Sequence, residues 1–147
     1  MNTQCNPPGS QVFFCYCQQD RQYAQRFITQ LGSCPHIDLW HEACLSAGSL
    51  WKRELDLALN SSQVAVVLVS ADLLATPLIT THQLPQLLDA AQSRGTRIIP
   101  VILRACLFEE SPLAVFRPLN DPARPLDHLP YSARERLWAS LARDLLK

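Results

Sequence analysis

The sequence is poor in glycine. Its four glycines, Gly9, Gly32, Gly48 and Gly95, stand far apart in 147 residues. A phosphate-cradling loop needs glycines a few positions apart, so a dinucleotide fingerprint and a P-loop are both excluded. G-x-S-x-G and H-E-x-x-H are also missing, which removes the serine-hydrolase elbow and the zincin helix. Thirteen basic and thirteen acidic side chains cancel, leaving no electrostatic footprint for nucleic acid or an anionic membrane. No apolar run approaches the roughly 18 residues that span a bilayer. Residues 1–10 have neither a basic region nor an apolar core, so no signal peptide is expected. They read as a polar lead-in to one domain over 11–147.

The six cysteines, Cys5, Cys15, Cys17, Cys34, Cys44 and Cys106, contain no C-x-x-C pair. With His36 and His41 nearby a metal site is conceivable, but the spacing of structural zinc sites is lacking. The chain is long and apolar enough to dispense with disulfides. No metal and a reducing, cytoplasmic setting are therefore expected.

What is present is an alternation of strands and helices. Val64–Ser70 is an unbroken apolar, β-branched run, the pattern of a strand buried on both faces of a parallel sheet. Gln11–Tyr16, Ile37–Trp40 and Arg97–Leu103 read as further strands, with Pro100 marking an edge or bulge. Asp20 is placed to cap a helix with Tyr23, Phe27, Ile28 and Leu31 on one face, ended by Gly32. Ser49 is placed to cap a helix facing inward through Trp51, Leu55, Ala58 and Leu59. A third helix is expected from about Thr80 to Ser93, starting nearer Gln83 if Pro85 is to fall in its first turn; Gly95 stops it. Ser132–Glu135 reads as a capping box for a last helix carrying Leu137, Trp138, Leu141 and Leu145. The pattern predicts a flavodoxin-like, doubly wound parallel sheet of four to five strands with helices on both faces. In such sheets function collects beyond the carboxyl ends of the central strands, which directs attention to Ser70–Gln83. A receiver domain shares this alternation, but it needs an acidic pair after the first strand to hold Mg²⁺; only Asp20 is there.

Phe13-Phe14-Cys15-Tyr16-Cys17-Gln18-Gln19-Asp20 resembles the first-strand motif F-I-S-Y-S-x-x-D of Toll/interleukin-1 receptor (TIR) domains of the bacterial type. Both serines are replaced by cysteine. Ala47-Gly48 followed by Trp51–Leu55 is similar to the end of the family's BB loop and its W-x-x-E-I helix. Ser70-Ala71-Asp72-Leu73-Leu74, Leu84-Pro85, Arg97–Leu103 and Cys106 add to the likeness, which covers nearly the whole chain.

The resemblance implies two kinds of role. Some TIR domains are assembly modules that pair with other TIR domains through the BB loop. Others cleave NAD⁺ and release nicotinamide, using a glutamate on the helix after the central strand to offset charge on the ribose. Laid on this chain, that glutamate falls at Thr81 and a second acid at Gln83, and no acid occurs between Asp72 and Asp89. No catalytic residue is therefore assigned. Tyr16, Cys17, Trp40, Ser70 and Thr81 are candidates for a nucleotide pocket, and His41, Glu42, Leu45, Ala47 and Gly48 for BB-loop contacts. Glu42 and Glu54 are substitute carboxylates to test. Trp40 and Trp51 could stack on a ring of the ligand, although core packing is the commoner fate of tryptophan. The expected function is a TIR–TIR assembly module in bacterial signalling or anti-phage defence, with a degenerate NAD site and no resident cofactor. The alternatives are an NAD⁺ hydrolase or a non-catalytic NAD or ADP-ribose sensor.

Overall fold

The computed structural model describes residues 11–42, 47–48 and 50–146. The lead-in 1–10, Leu45 and the expected cap Ser49 lie outside the described residues.

Four parallel strands form the sheet: β1 (Gln11–Cys15), β2 (Asp38–Trp40), β3 (Val64–Val69) and β4 (Arg97–Ile102), in the order β2-β1-β3-β4. The apolar run Val64–Val69 is central as its composition demands; Ala65 through Val69 are fully buried. Side chains alternate across the sheet. Phe13, Cys15, Ala65, Val67 and Val69 enter one core with Leu55, Leu59, Leu73, Leu84 and Leu87. Val12, Phe14, Val66 and Leu68 enter the other with Phe27, Leu31, Trp138 and Leu141. Helices α1 (Arg21–Gly32) and α5 (Tyr131–Leu145) therefore cover one face, and α2 (Trp51–Ser61), α3 (Ala71–Leu74) and α4 (Leu84–Ser93) the other. The doubly wound arrangement matches the expectation, with four strands.

β4 is an edge strand, which explains Pro100. It stands opposite Val67 in the ladder, where its missing N–H leaves no orphan acceptor inside the sheet. Its carbonyl accepts instead from Leu119 N–H at 2.8 Å. Gly95 closes α4 with φ 73°, and the Thr96 N–H returns to Ala90 O at 3.2 Å. That left-handed closure favours glycine.

Three local expectations give way to long-range contacts. Asp20 precedes α1 but caps nothing; its carboxylate is buried and points across the molecule. The Ser132–Glu135 capping box does not form, because α5 already begins at Tyr131 and Glu135 is taken by Arg26 of α1 in a bidentate pair at 3.0 and 3.1 Å. Gly32 ends α1 without a positive φ; the turn closes at Ser33.

The segment after β3 is less regular than hydrophobic periodicity suggests. Ser70 Oγ accepts from Leu73 N–H and caps α3. Ile79–Gln83 is then a π-helical turn, with the Leu84 N–H donating to Ile79 O five residues back. The wide turn absorbs one extra residue just before Pro85, which cannot donate and crowds the preceding turn. α4 thus starts at Leu84, with Pro85 in its first turn.

Candidate functional site

A cavity of about 220 Å³ opens beyond the carboxyl ends of β1 and β2. The strand order reverses between β1 and β3, the topological switch point at which doubly wound sheets bind ligands, and the cavity borders that point through β1 and the segment after β3. β1 and the turn after it supply Phe13–Gln19, β2 supplies Trp40, and Glu42 follows it. Trp51 and Leu55 come from α2, and Thr76, Leu78, Ile79 and Gln83 from the segment after β3.

Of the pocket candidates, Tyr16, Cys17 and Trp40 line the cavity. Trp40 is buried, stacked on Phe13 with centroids 5.2 Å apart and planes 8° from parallel. It serves as wall, whereas Trp51 at the rim is 48% exposed. Ser70 lies beneath the wall, within 3.9 Å of the Cys17 sulfur. Thr81 does not line the cavity. It is exposed, and its hydroxyl donates to Pro77 O at 2.6 Å. The π-helical turn delivers Gln83 instead: this side chain is buried and accepts from the Cys15 thiol at 3.3 Å. The family resemblance gives Gln83 only the place of a second acid, because an extra residue in a helix turn leaves no trace in sequence spacing.

Below the cavity is a polar cluster that motif reading did not resolve. Asp20 is completely buried. Its carboxylate accepts from Ser70 Oγ, from Cys17 Sγ at 3.0 Å and from Arg104 Nη2 at 3.2 Å. Arg104 also faces Asp127 at 3.7 Å. The ends of β1, β3 and β4 are tied together at this carboxylate. Its signal in the sequence was an aspartate just past an apolar strand, which local rules assign to a helix cap.

The cysteines and the tyrosine of the cavity wall are held in their neutral forms. Burial raises the Cys17 thiol to about 11, with Asp20 adding to the effect. Cys15 is raised further, chiefly by burial. Neither cysteine is a thiolate nucleophile at neutral pH. The Tyr16 phenol is raised by burial and then by Glu42, with Arg21 opposing. Glu42 is the one carboxylate among the described residues of the lining, and it is exposed; Glu54 does not line the cavity. Of the loop candidates, His41 has a buried Nδ1 with no hydrogen-bond partner among the described residues, and burial lowers its pKa. Ala47 and Gly48 form an exposed turn, with Gly48 at φ 84°. Among the described residues no cluster of His, Cys, Asp and Glu could hold a metal ion.

A parallel sheet with this order, helices on both faces and a cleft at the carboxyl ends of its strands define a doubly wound α/β domain with a strand-end binding cleft. The family model of the TIR domain matches residues 12–141, and the chain belongs to that family. A curated relative, the uncharacterized protein y4lF of Sinorhizobium fredii, is 26% identical over 122 residues, which is 81% of this chain and 38% of that protein. The chain thus spans well under half of that relative, whose source agrees with the bacterial type. The TIR domain of the Toll-related receptor TRR-2 of Hydra magnipapillata superposes with a TM-score of 0.58 at 20% identity, covering 92% of this chain and 98% of that one. The TIR domains of the activated Roq1 resistosome superpose with 0.57 at 16% identity, covering 93% and 83%. At such identities these two likenesses concern the fold alone.

Proposed function

We propose that this TIR domain is an assembly module, pairing with other TIR domains or with itself in bacterial signalling or anti-phage defence, and that its cavity is a degenerate NAD-cleaving site. The observation that carries this reading is Gln83. The helix following the central strand presents an uncharged, buried amide to the cavity, where stabilising a ribose oxocarbenium centre requires a carboxylate. Removing one such electrostatic group typically costs about 10²–10³-fold in rate. An assembly role is supported by exposed apolar side chains: Trp51 and Leu78 of the cavity lining are 48% and 37% exposed, and Leu50, next to Trp51 in sequence, is 68% exposed. No helix among the described residues is long and apolar enough to cross a membrane, in keeping with the proposed cytoplasmic setting.

Incubation with NAD⁺ followed by chromatography for nicotinamide is expected to match the protein-free blank. Light scattering is expected to detect self-association or a complex with a purified TIR partner. Nicotinamide above the blank, or a monomer that ignores every TIR domain offered, overturns the proposal. Glu42 favours the second reading, an NAD⁺ hydrolase that uses the loop carboxylate; Glu42→Gln would then abolish the turnover. A cavity retained as an NAD or ADP-ribose sensor predicts a raised melting temperature with either ligand and no nicotinamide.

A further inference from the structure

A second cavity, also about 220 Å³, lies on the opposite face of the sheet between α1 and α5. Trp138 forms its base and is 1% exposed. Tyr23, Tyr131 and Arg134 stand in its wall. The Arg134 guanidinium lies 5.5 Å from the Tyr23 ring centroid and 6.0 Å from that of Tyr131. Arg104 also lies over Tyr23, 5.2 Å from its centroid, and is committed to Asp20. Arg26, also in the wall, is committed to Glu135, and Gln30 donates to the same carboxylate at 3.2 Å. Both oxygens of Glu135 are thereby engaged. Arg134 is different: it is half-buried, and its guanidinium hydrogen-bonds to no described residue.

The geometry points to a binding site for a small anionic ligand with a flat body, of the phosphate-monoester class, held by Arg134 beside the two tyrosine rings. A guanidinium is fixed by stacking on aromatic faces while its in-plane N–H donors remain available for the two oxygens of an anion. The neighbouring Glu135 is hydrogen-bonded by Arg26 and Gln30 and acts on Arg134 only through space, which leaves the Arg134 N–H donors unengaged. The tyrosine faces supply apolar contact for a planar group. This site lies across the sheet from the cavity of Gln83, so its failure leaves the assembly reading untouched.

Titration of the ¹⁵N-labelled protein with phenyl phosphate tests the proposal, with phenol as the neutral control and inorganic phosphate as the bodiless one. Saturable shifts at Tyr23, Tyr131 and Arg134 are expected with phenyl phosphate, weaker ones with phosphate and none with phenol. Arg134→Gln, which keeps a polar side chain but shortens it and removes the charge, is expected to weaken binding roughly tenfold or more. Tyr131→Ala, at an exposed position the fold tolerates, is expected to weaken phenyl phosphate more than phosphate. Absence of saturable shifts, or unchanged affinity in a folded Arg134→Gln protein, overturns the site. So do shifts that follow protein concentration alone, which would assign this face to a second copy of the chain.

Discussion

Asp20 and Arg104 close an ion pair at 3.2 Å across 84 positions of sequence, and the two partners differ sharply in exposure: none for the Asp20 side chain, 37% for that of Arg104. The asymmetry decides which deletion hurts more. Arg104→Ala leaves a carboxylate in the interior without its counter-charge and is expected to cost about 3 kcal/mol. Asp20→Asn leaves a guanidinium that can turn to water, and loses hydrogen bonds worth about 1–2 kcal/mol. Urea unfolding of the two variants checks the order. Equal losses, or a larger one for Asp20→Asn, would contradict it.

A second expectation concerns acidity. Asp38 on β2 is buried, one of its oxygens has no hydrogen-bond partner among the described residues, and burial raises its pKa to about 6. The folded state therefore binds this proton more tightly than the unfolded chain, whose aspartate titrates near the ordinary value of about 3.9. Stability from the protonated group is fully present below that value and is lost as pH rises from about 4 through 6. The loss by neutral pH is on the order of 2–3 kcal/mol. Asp38→Asn is expected to flatten the dependence of the unfolding free energy on pH across that window. An unchanged slope in the variant would dissociate Asp38 from it.

The elements that could be read from sequence are those whose causes are local or periodic. The run Val64–Val69 needed only its composition to declare a central strand, and Gly95 only its position after an amphipathic helix. Asp20 and Glu135 resisted the same treatment. Each sits where a helix cap is locally satisfactory, yet each is drawn to an arginine distant in sequence, 84 positions away for Asp20 and 109 for Glu135. A charge-assisted hydrogen bond outcompetes a backbone cap once tertiary packing brings the partner close. The cavity was legible as a location, from the rule about strand ends. Its polar occupant was not, because the π-helical turn displaces every following side chain.

Helix α2 and the π-helical turn, both walls of the cavity, are joined on their outer side by His82 and Asp56. His82 Nε2 lies 3.0 Å from Asp56 Oδ1, and Gln86 donates to the same oxygen at 3.1 Å. Hydrogen bonds from Gln86 and His82 hold the Asp56 carboxyl below its ordinary range. Both partners are partly exposed, so the pair is worth little by itself. A double-mutant cycle of His82→Ala and Asp56→Ala is expected to give a coupling of about 0.5–1 kcal/mol. The Asp56 share is present above its unfolded pKa and is lost as pH falls through the lower folded value. Zero coupling at neutral pH would remove the clamp.

Gln83 and Thr81 make opposite predictions about restored chemistry. Thr81 is exposed and bonded to its own turn, so Thr81→Glu places a carboxylate in solvent, where water screens its charge. Gln83 is nearly the same size as glutamate and already projects into the cavity, accepting from Cys15 at 3.3 Å. Gln83→Glu keeps that contact, since the thiol can still donate to a carboxylate oxygen, and adds a negative charge in a secluded site. If the cavity holds NAD⁺ with its ribose toward Gln83, nicotinamide release is expected to rise above the protein-free blank, the level proposed for the unmodified chain. Thr81→Glu is expected to leave release at the blank. The reverse result would relocate the ribose to the outer face of the π-helical turn. Silence from both variants, with NAD⁺ still raising the melting temperature, would assign the cavity to binding without turnover, because a missing charge would then not be what limits the reaction.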